Sequence, residues 1–298
     1  MNLMKYKKLY FFISAIFLIP GLISLMLYGL KPAIDFAGGS LLEINLLNKE
    51  SSTIEEQEEL KNDLQPVFAV DTIQTSGPNS EIFRGKEISN EAKEQALAII
   101  EERYGEIELL RFESIGPVLG QELLKKAINA VLIVAGVIII YIWQQFHDLK
   151  YGISAVLAMF HDTLILLGIF SLLGHFSGVE VDVLFITAVL TSLSFSIHDT
   201  IVVYNRIREL KKTHRQLSLT AIANLAVGKT LSRSINDSLT IIIMLLSLVL
   251  LGGESIRYFS LALLIGAITG TYSSSFIAVP ILLVWEEISN KRAQAKSN

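Results

Sequence analysis

Residues 182–204 read DVLFITAVLTSLSFSIHDTIVVY, a long apolar run whose ionisable side chains are Asp182 at its start and the pair His198-Asp199. A helix that crosses the hydrocarbon core of a bilayer, about 30 Å thick, needs about 20 apolar residues. The run therefore predicts a membrane-spanning helix, and it places two ionisable groups inside that span.

Five further stretches predict spanning helices of the same kind. Hydrophobic residues make up 51% of the chain, charged residues only 18%, and the mean hydropathy is +0.51. A soluble domain needs a more polar exterior than this composition provides. The sequence thus predicts a membrane α-helical protein with six transmembrane helices, the other five being residues 9–30, 124–146, 151–174, 234–252 and 257–285.

The distribution of basic residues predicts the orientation of these helices. Lys and Arg concentrate in the N-terminal residues 1–8, in a basic loop at about 205–233 and in the tail 286–298. Basic loops stay on the cytoplasmic side of a membrane. We therefore expect a multi-pass protein of the cell (plasma or inner) membrane with both termini cytoplasmic.

The segment between the first two spans is expected to lie outside as an extracytoplasmic domain, residues 31–123. Residues 31–124 carry 8 Lys/Arg and 19 Asp/Glu, a net charge of −11. Alternating strand and helix patterns predict the order β-α-β-β-α-β, which is the ferredoxin-like arrangement. We expect this domain to bind another chain. The alternative is that it serves only as a structural cap. The predicted elements are strands 41–47, 67–75, 81–86 and 106–114 and helices 53–64 and 89–104.

Asp199 is the strongest candidate for chemistry in the membrane. Charged groups inside a membrane are costly and are functional candidates by default. Ser192, Ser196 and Asp199 are spaced i, i+4 and i+7 and share one helix face, where a second helix can approach closely. A carboxyl held there can bind and release a proton. The alternative is an acid that only hydrogen-bonds between helices.

Other ionisable groups are weaker candidates for a proton pathway. His161-Asp162 lies roughly 16 Å into its span, near the middle of the membrane. Adjacent residues on a helix point about 100° apart, so these two are not expected to face one partner. His198 is a further candidate, and so is Asp237, for which a local ion pair with Arg233 is the alternative.

Several classes of function are not supported by the sequence. The chain has no cysteine, and its five histidines lack the spacing of a helical zinc pair, so no metal and no cofactor is expected. No phosphate-binding loop, nucleophile elbow or dinucleotide fingerprint is present, so we expect neither an enzyme nor a nucleic-acid partner. Gly266, Gly270 and Ser274 are spaced by four, which predicts tight helix packing.

Several motifs, taken in order along essentially the whole chain, resemble the SecF family, the smaller subunit of the SecD–SecF accessory complex of the protein translocase. His161-Asp162 resembles the family pair in the third span, and residues 197–209, including Arg206, resemble the fourth-span signature. Residues 270–278 resemble the last span. Two further motifs flank the extracytoplasmic domain, and their family positions are Asp35, Phe36, Gly38, Gly39, Gly116, Pro117 and Gly120.

The resemblance implies the six-helix half of a transporter of the resistance-nodulation-division type. SecD would supply the other six spans. The pair would use the proton gradient to promote export of a translocating polypeptide after it enters the SecYEG channel. Asp199 would be the proton-carrying acid of this half.

The sequence departs from the family pattern around that acid. The residue before Asp199 is usually Asn and is His198 here, and the usual Asp-Arg pair after the span is Asn205-Arg206. A fifth-span position usually filled by a hydroxyl residue is Asp237. These changes alter the neighbours that would tune the proton affinity of Asp199, and they leave Asp199 itself in place.

Two other functions remain open at this point. One is a proton-driven exporter of lipids or small molecules from the same superfamily, which would need a homodimer to reach twelve spans. The other is a structural membrane scaffold in which the buried acids are packing groups.

Overall fold

A computed structural model describes residues 2–47 and 52–297. Met1, residues 48–51 and Asn298 fall in the predicted N-terminus, domain and tail, and lie outside the described residues. The chain forms two compact units. The α+β unit is Pro32–Ile128, and the helical unit combines Met1–Lys31 with Asn129–Asn298.

The helical elements confirm the six predicted spans. Six helices are long and apolar enough to cross a membrane, and the last of them is built from α9, a π-helical segment Ser274–Ala278 and α10. A 3-10 turn, Leu3–Tyr6, leads into α1. The long helices are α1 (Lys7–Leu27), α5 (Pro117–Phe146), α6 (Leu149–Ser177), α7 (Val183–Thr213), α8 (Leu219–Leu251), α9 (Glu254–Ser273) and α10 (Val279–Ser297).

The helix bounds differ from the predicted ones where a helix continues past its apolar stretch. The basic segment 205–233, predicted as a loop, is mostly helical, because α7 runs on to Thr213 and α8 already begins after its cap Ser218. The helix that contains the second predicted span begins at Pro117, seven residues before the predicted start of that span at residue 124. Proline fits the first turn of a helix, so α5 can begin at Pro117. Charged residues indicate where a helix leaves the hydrocarbon core, but they do not end the helix.

The α+β unit has the predicted ferredoxin-like order. Its four strands form one antiparallel sheet in the order β2-β3-β1-β4. Apolar side chains of two helices share one buried core with the sheet. Leu42 faces both Phe83 and Phe112 across the sheet and is fully buried. The elements are α2 (Ile34–Ala37), β1 (Gly39–Leu46), α3 (Ile54–Leu64), β2 (Val70–Thr75), β3 (Ser80–Gly85), α4 (Asn90–Tyr104) and β4 (Ile107–Ile115).

Side-chain caps begin α3 and α4. Thr53 and Glu56 form a capping box at the start of α3, and Ser89 caps α4. Just before α3, the backbone N–H of Ser52 donates to the buried carboxylate of Glu81 at 2.7 Å. Burial raises the pKa of the nearby Tyr104 hydroxyl. The hydrogen bond between Ser52 and Glu81 joins the start of α3 to β3.

The two motifs that flank the sheet pack against each other. Gly38 has φ +78°, and a Cβ there would lie 2.7 Å from Pro117 Cα. A Cβ on Gly120 would lie 2.9 Å from the Phe36 carbonyl oxygen. Glycine is therefore required on both sides of this contact, for conformation at Gly38 and for space at both positions.

In the helical unit, α1 contacts α6 through small residues. Gly21 and Gly168 meet backbone to backbone, and a Cβ on Gly168 would lie 2.5 Å from Gly21 Cα. One turn further on, the hydroxyls of Ser24 and Ser171 are buried and hydrogen-bonded at 2.7 Å. Since Gly21 is level with Gly168 and Ser24 with Ser171, the two helices run parallel.

This contact leads to a stability prediction. Gly168→Ala places a methyl group against the backbone of α1, and overpacking of this kind costs about 1–3 kcal/mol. We expect a lower thermal midpoint in detergent for this variant. Gly136→Ala on α5 is the matched control, because nothing lies within 4 Å of the added carbon. Equal midpoints for the two variants would contradict the α1–α6 contact.

Candidate functional site

Asp162 is a buried acid held by three other side chains. It is 4% exposed and lies on α6. Ser196 of α7 donates its hydroxyl to Oδ2 at 2.7 Å, and Ser273 of α9 donates to the same oxygen. His161 Nδ1 lies 3.0 Å from Oδ1. Hydroxyl and ring donors thus surround the carboxylate and satisfy it within the protein.

His161 and Asp162 meet although they are neighbours on one helix. We expected them to point in different directions, and the imidazole instead folds onto the carboxylate beside it. The other ring nitrogen, Nε2, is buried and has no hydrogen bond to any described residue. The cluster therefore contains one buried polar atom that no described residue satisfies.

Close packing of α7 on α9 brings the two serines to Asp162. Gly266 lies against Ser192, and a Cβ on Gly270 would lie 3.1 Å from Ser196 Cα. With no side chain on either glycine, the two backbones approach closely. Four of the five small residues predicted to pack on these two spans thus meet in the structure, namely Ser192, Ser196, Gly266 and Gly270.

The contact between α7 and α9 ends where α9 is followed by a π-helical segment. Ser273 is the last residue of α9, and Ser274 opens the π-helical turn Ser274–Ala278. Ser274 is buried and donates its hydroxyl to the Thr271 carbonyl at 3.0 Å. Short π-helical turns often occur at functional sites, because they change which side chain points into the bundle.

Asp199 lies outside the Asp162 cluster. It is half-buried on α7, one turn beyond Ser196, and its charged neighbours are His198, Arg233 and Asp237. Ser196, which we placed on the face of Asp199, gives its hydroxyl to Asp162 instead. The structure therefore places the two span acids at separate points around Ser196.

His198 and Asp237 belong to a polar face that the helical unit leaves exposed. Arg233 and Asp237 of α8 form an ion pair at 3.6 Å, with exposed side-chain fractions of 69% and 62%. We call this surface the α7–α8 polar face. It consists of Ser194, His198 and Asp199 on α7 with Arg233, Asn236 and Asp237 on α8.

Arg206 lies beyond the polar face and bonds locally. Its guanidinium pairs with Glu209 three residues later at 2.7 Å. Asn205 accepts a hydrogen bond from Arg208 at 3.3 Å. No ion pair joins Asn205 to Arg206, because an amide carries no charge.

Ser273 and Asn236 are members of these sites that the sequence analysis missed. The sequence analysis follows the small residues from Gly266 at every fourth position, which leads to Gly270 and Ser274. Two turns of an α-helix are 7.2 residues, so the residue above Gly266 is Ser273. Asn236 is one residue before Asp237, close to the start of the predicted fifth span, and its exposure is visible only in the structure.

Comparison with known proteins agrees with this architecture of a multi-pass membrane protein with a ferredoxin-like insertion. A family model described as protein export membrane protein SecD/SecF, C-terminal, matches residues 95–288. The chain therefore belongs to the SecD/SecF family. The protein translocase subunit SecF of Anaerolinea thermophila is 39% identical over 292 residues, which cover 96% of this chain and 94% of that protein.

Fused proteins match the same chain over part of their length. The protein translocase subunit SecDF of Bacillus subtilis is 34% identical, with 97% of this chain and 39% of that protein covered. A crystal structure of SecDF from Thermus thermophilus, described as a translocon-associated membrane protein, superposes with a TM-score of 0.84. Its identity is 29%, and the match covers 96% of this chain and 39% of the longer one.

The Asp162 cluster generates a second stability prediction. Ser196→Ala removes one donor from a buried carboxylate, which should lower the free energy of unfolding by about 1–3 kcal/mol. Unfolding in detergent measures this loss. Ser247→Ala is the control, because that exposed hydroxyl donates only to the carbonyl four residues earlier on its own helix. A loss no larger than the control would contradict the hydrogen bond to Asp162.

Proposed function

We propose that this chain is the SecF half of a SecD–SecF unit that uses the proton gradient to promote export of preproteins leaving the SecYEG channel. In this proposal the protein lies in the cell membrane with both termini cytoplasmic and the α+β unit outside. Its role is transport, driven by proton movement through side chains of the spans, and no enzymatic reaction is assigned to it.

The α7–α8 polar face carries the proposal. Exposed ionisable groups in the hydrocarbon of a bilayer cost several kcal/mol or more, so a spanning protein buries them against another protein surface. His198 lies inside the fourth predicted span, and it is exposed on the helical unit alone. Arg233 and Asp237, at the cytoplasmic end of the fifth predicted span, are exposed on the same face. A second six-helix unit that covers this face would remove them from lipid. SecDF relatives that match this chain over 39% of their own length support SecD as that unit.

Asp199 is the proton carrier in this proposal. It lies half-buried at the edge of the polar face, so a SecD contact would complete its burial while Asp237 and Arg233 remain beside it. Ser196 precedes it by one turn on the same helix and is bonded to Asp162. A shift of α7 would therefore act on both acids, which suits a step that couples proton movement to a conformational change.

Replacing the titratable carboxyl group of Asp199 is the decisive test of proton coupling. Asp199→Asn keeps the size of the side chain and removes its titration. We expect export of a secreted reporter to fall toward the level of a strain lacking the gene, with a normal amount of protein in the membrane. Asp71→Asn, an exposed acid of the α+β unit, should leave export unchanged. Normal export in Asp199→Asn would reject this acid as the carrier.

Cysteine cross-linking tests the proposed SecD contact. The chain has no cysteine, so single cysteines at Ser194 and Asn236 report on the polar face alone. With cysteines placed on the SecD spans, we expect disulfide-linked SecD adducts from both positions. None should form from Leu132, which is exposed on α5. Adducts between two copies of this chain would favour the homodimeric exporter instead.

A further inference from the structure

The last spanning helix carries an added residue at the π-helical turn Ser274–Ala278, which joins α9 to α10. Each residue of an α-helix advances about 100° around the helix axis. One added residue therefore turns every later side chain by about 100° relative to its direction in an uninterrupted α-helix. The turn thus changes which side chains of α10 share a face with those of α9.

The burial of α10 shows what this change achieves. Gly266 of α9 faces Ser192 of α7. In an uninterrupted α-helix, Ala278 and Leu282 would point about 120° and 160° away from Gly266, and the added residue reduces these angles to about 20° and 60°. Both side chains are buried, at 0% and 2% exposure, in the core cluster to which α7 contributes. The turn therefore allows α9 and α10 to pack inside the bundle with one face.

This packing does not fix the place of the added residue. Wherever it lies between Gly270 and Ala278, α9 before it and α10 after it keep the directions just described. Only the residues in between change position. With the turn where it is, Ser273 donates to Asp162, whereas a turn placed one helical turn earlier would bring Ser274 to that position. The place of the added residue thus decides which of two adjacent serines binds the acid.

Pro280 favours the observed place of the turn. Proline has no N–H, and in an α-helix its ring clashes with the carbonyl four residues earlier, which here is that of Phe276. Phe276 is the middle residue of the π-helical turn, where the wider backbone relieves this clash. A turn placed earlier would return Phe276 to α-helical geometry and restore the clash.

Tyr204 of α7 holds the end of the turn. Its hydroxyl donates to the Ala278 carbonyl at 3.1 Å, and its side chain is fully buried. Ser154 of α6 is a second hydrogen-bond partner of this hydroxyl. The rings of Phe146 and Tyr151 pack against the Tyr204 ring edge to face, with centroid distances of 5.8 and 5.1 Å. The tyrosine is thus held by α5 and α6, and it fixes the last carbonyl of the turn.

We propose that Tyr204 and Pro280 are positioning residues for the Asp162 cluster. They keep the added residue after Ser273, so that Ser273 and not Ser274 donates to the carboxylate. The proline disfavours any earlier place of the turn, and the tyrosine holds its end where it is. This proposal concerns the donors of one buried acid, and it depends neither on the contact proposed for SecD nor on the proposed proton carrier.

Infrared spectra of the full chain in lipid nanodiscs test this selection. The carboxyl band of Asp162 is identified by its loss in Asp162→Asn, and its frequency depends on the hydroxyls that donate to the group. We expect Ser273→Ala to shift this band, because it removes a donor. Ser274→Ala should leave the band in place, because the Ser274 hydroxyl donates to the Thr271 carbonyl.

The double variant Tyr204→Phe/Pro280→Ala removes both causes of the observed turn. In this background we expect the two serines to exchange their effects. Ser274→Ala should now shift the Asp162 band, and Ser273→Ala should leave it in place. A tyrosine that only fills the core would not change which serine the band responds to.

Tyr10→Phe is the matched control for the tyrosine. The Tyr10 hydroxyl also donates to a backbone carbonyl, that of Leu3 at 3.0 Å, and it lies on α1. With Tyr10→Phe in place of Tyr204→Phe, and Pro280 retained, the band should still respond to Ser273→Ala alone.

Tyr204→Phe by itself keeps the test informative if the double variant does not fold. Loss of one hydrogen bond changes the ratio of the two turn positions about two- to tenfold. A component of the Asp162 band that responds to Ser274→Ala should grow by that factor. The proposal is overturned if the band responds only to Ser273→Ala in both Tyr204 variants, or to neither serine in the double variant.

Discussion

The close contact of α7 with α9 is the constraint on which the membrane site depends. Gly266 and Gly270 have no side chains, so the backbones approach until Ser192 and Ser196 touch α9. Only at that distance can serines from two helices reach one carboxylate on a third. A buried carboxylate without such donors would be strongly destabilising, because its loss of hydration would be uncompensated.

The two sides of α7 have different roles. One side closes on α9 and α6 and is complete within the helical unit, since Ser196 bonds Asp162. The other side carries His198 and Asp199 and stays open together with Arg233 and Asp237 of α8. A single helix therefore connects a closed polar cluster with an open one. Ser196 and Asp199, which belong to these two clusters, thus lie three residues apart on one helix.

The α+β unit depends on a contact of the same physical kind. The turn at Gly38 and the start of α5 at Pro117 and Gly120 touch through backbone atoms, with no room for a Cβ. The segment that enters the sheet and the helix that leaves it are thereby held together. Glycines separated by some 80 residues in the chain thus serve one junction.

The six apolar spans, the β-α-β-β-α-β order and the acids within the spans could all be predicted from the sequence alone. Those features are local, because hydrophobic length, strand alternation and helix caps are properties of neighbouring residues. The continuation of α7 and α8 into segment 205–233 was less visible, since basic side chains mark depth without ending a helix. That Ser196 bonds Asp162 and not Asp199 could not be predicted, because it depends on how α6, α7 and α9 pack together. Helical spacing identifies residues that share a face, but the neighbouring helices decide which partner each residue on that face meets.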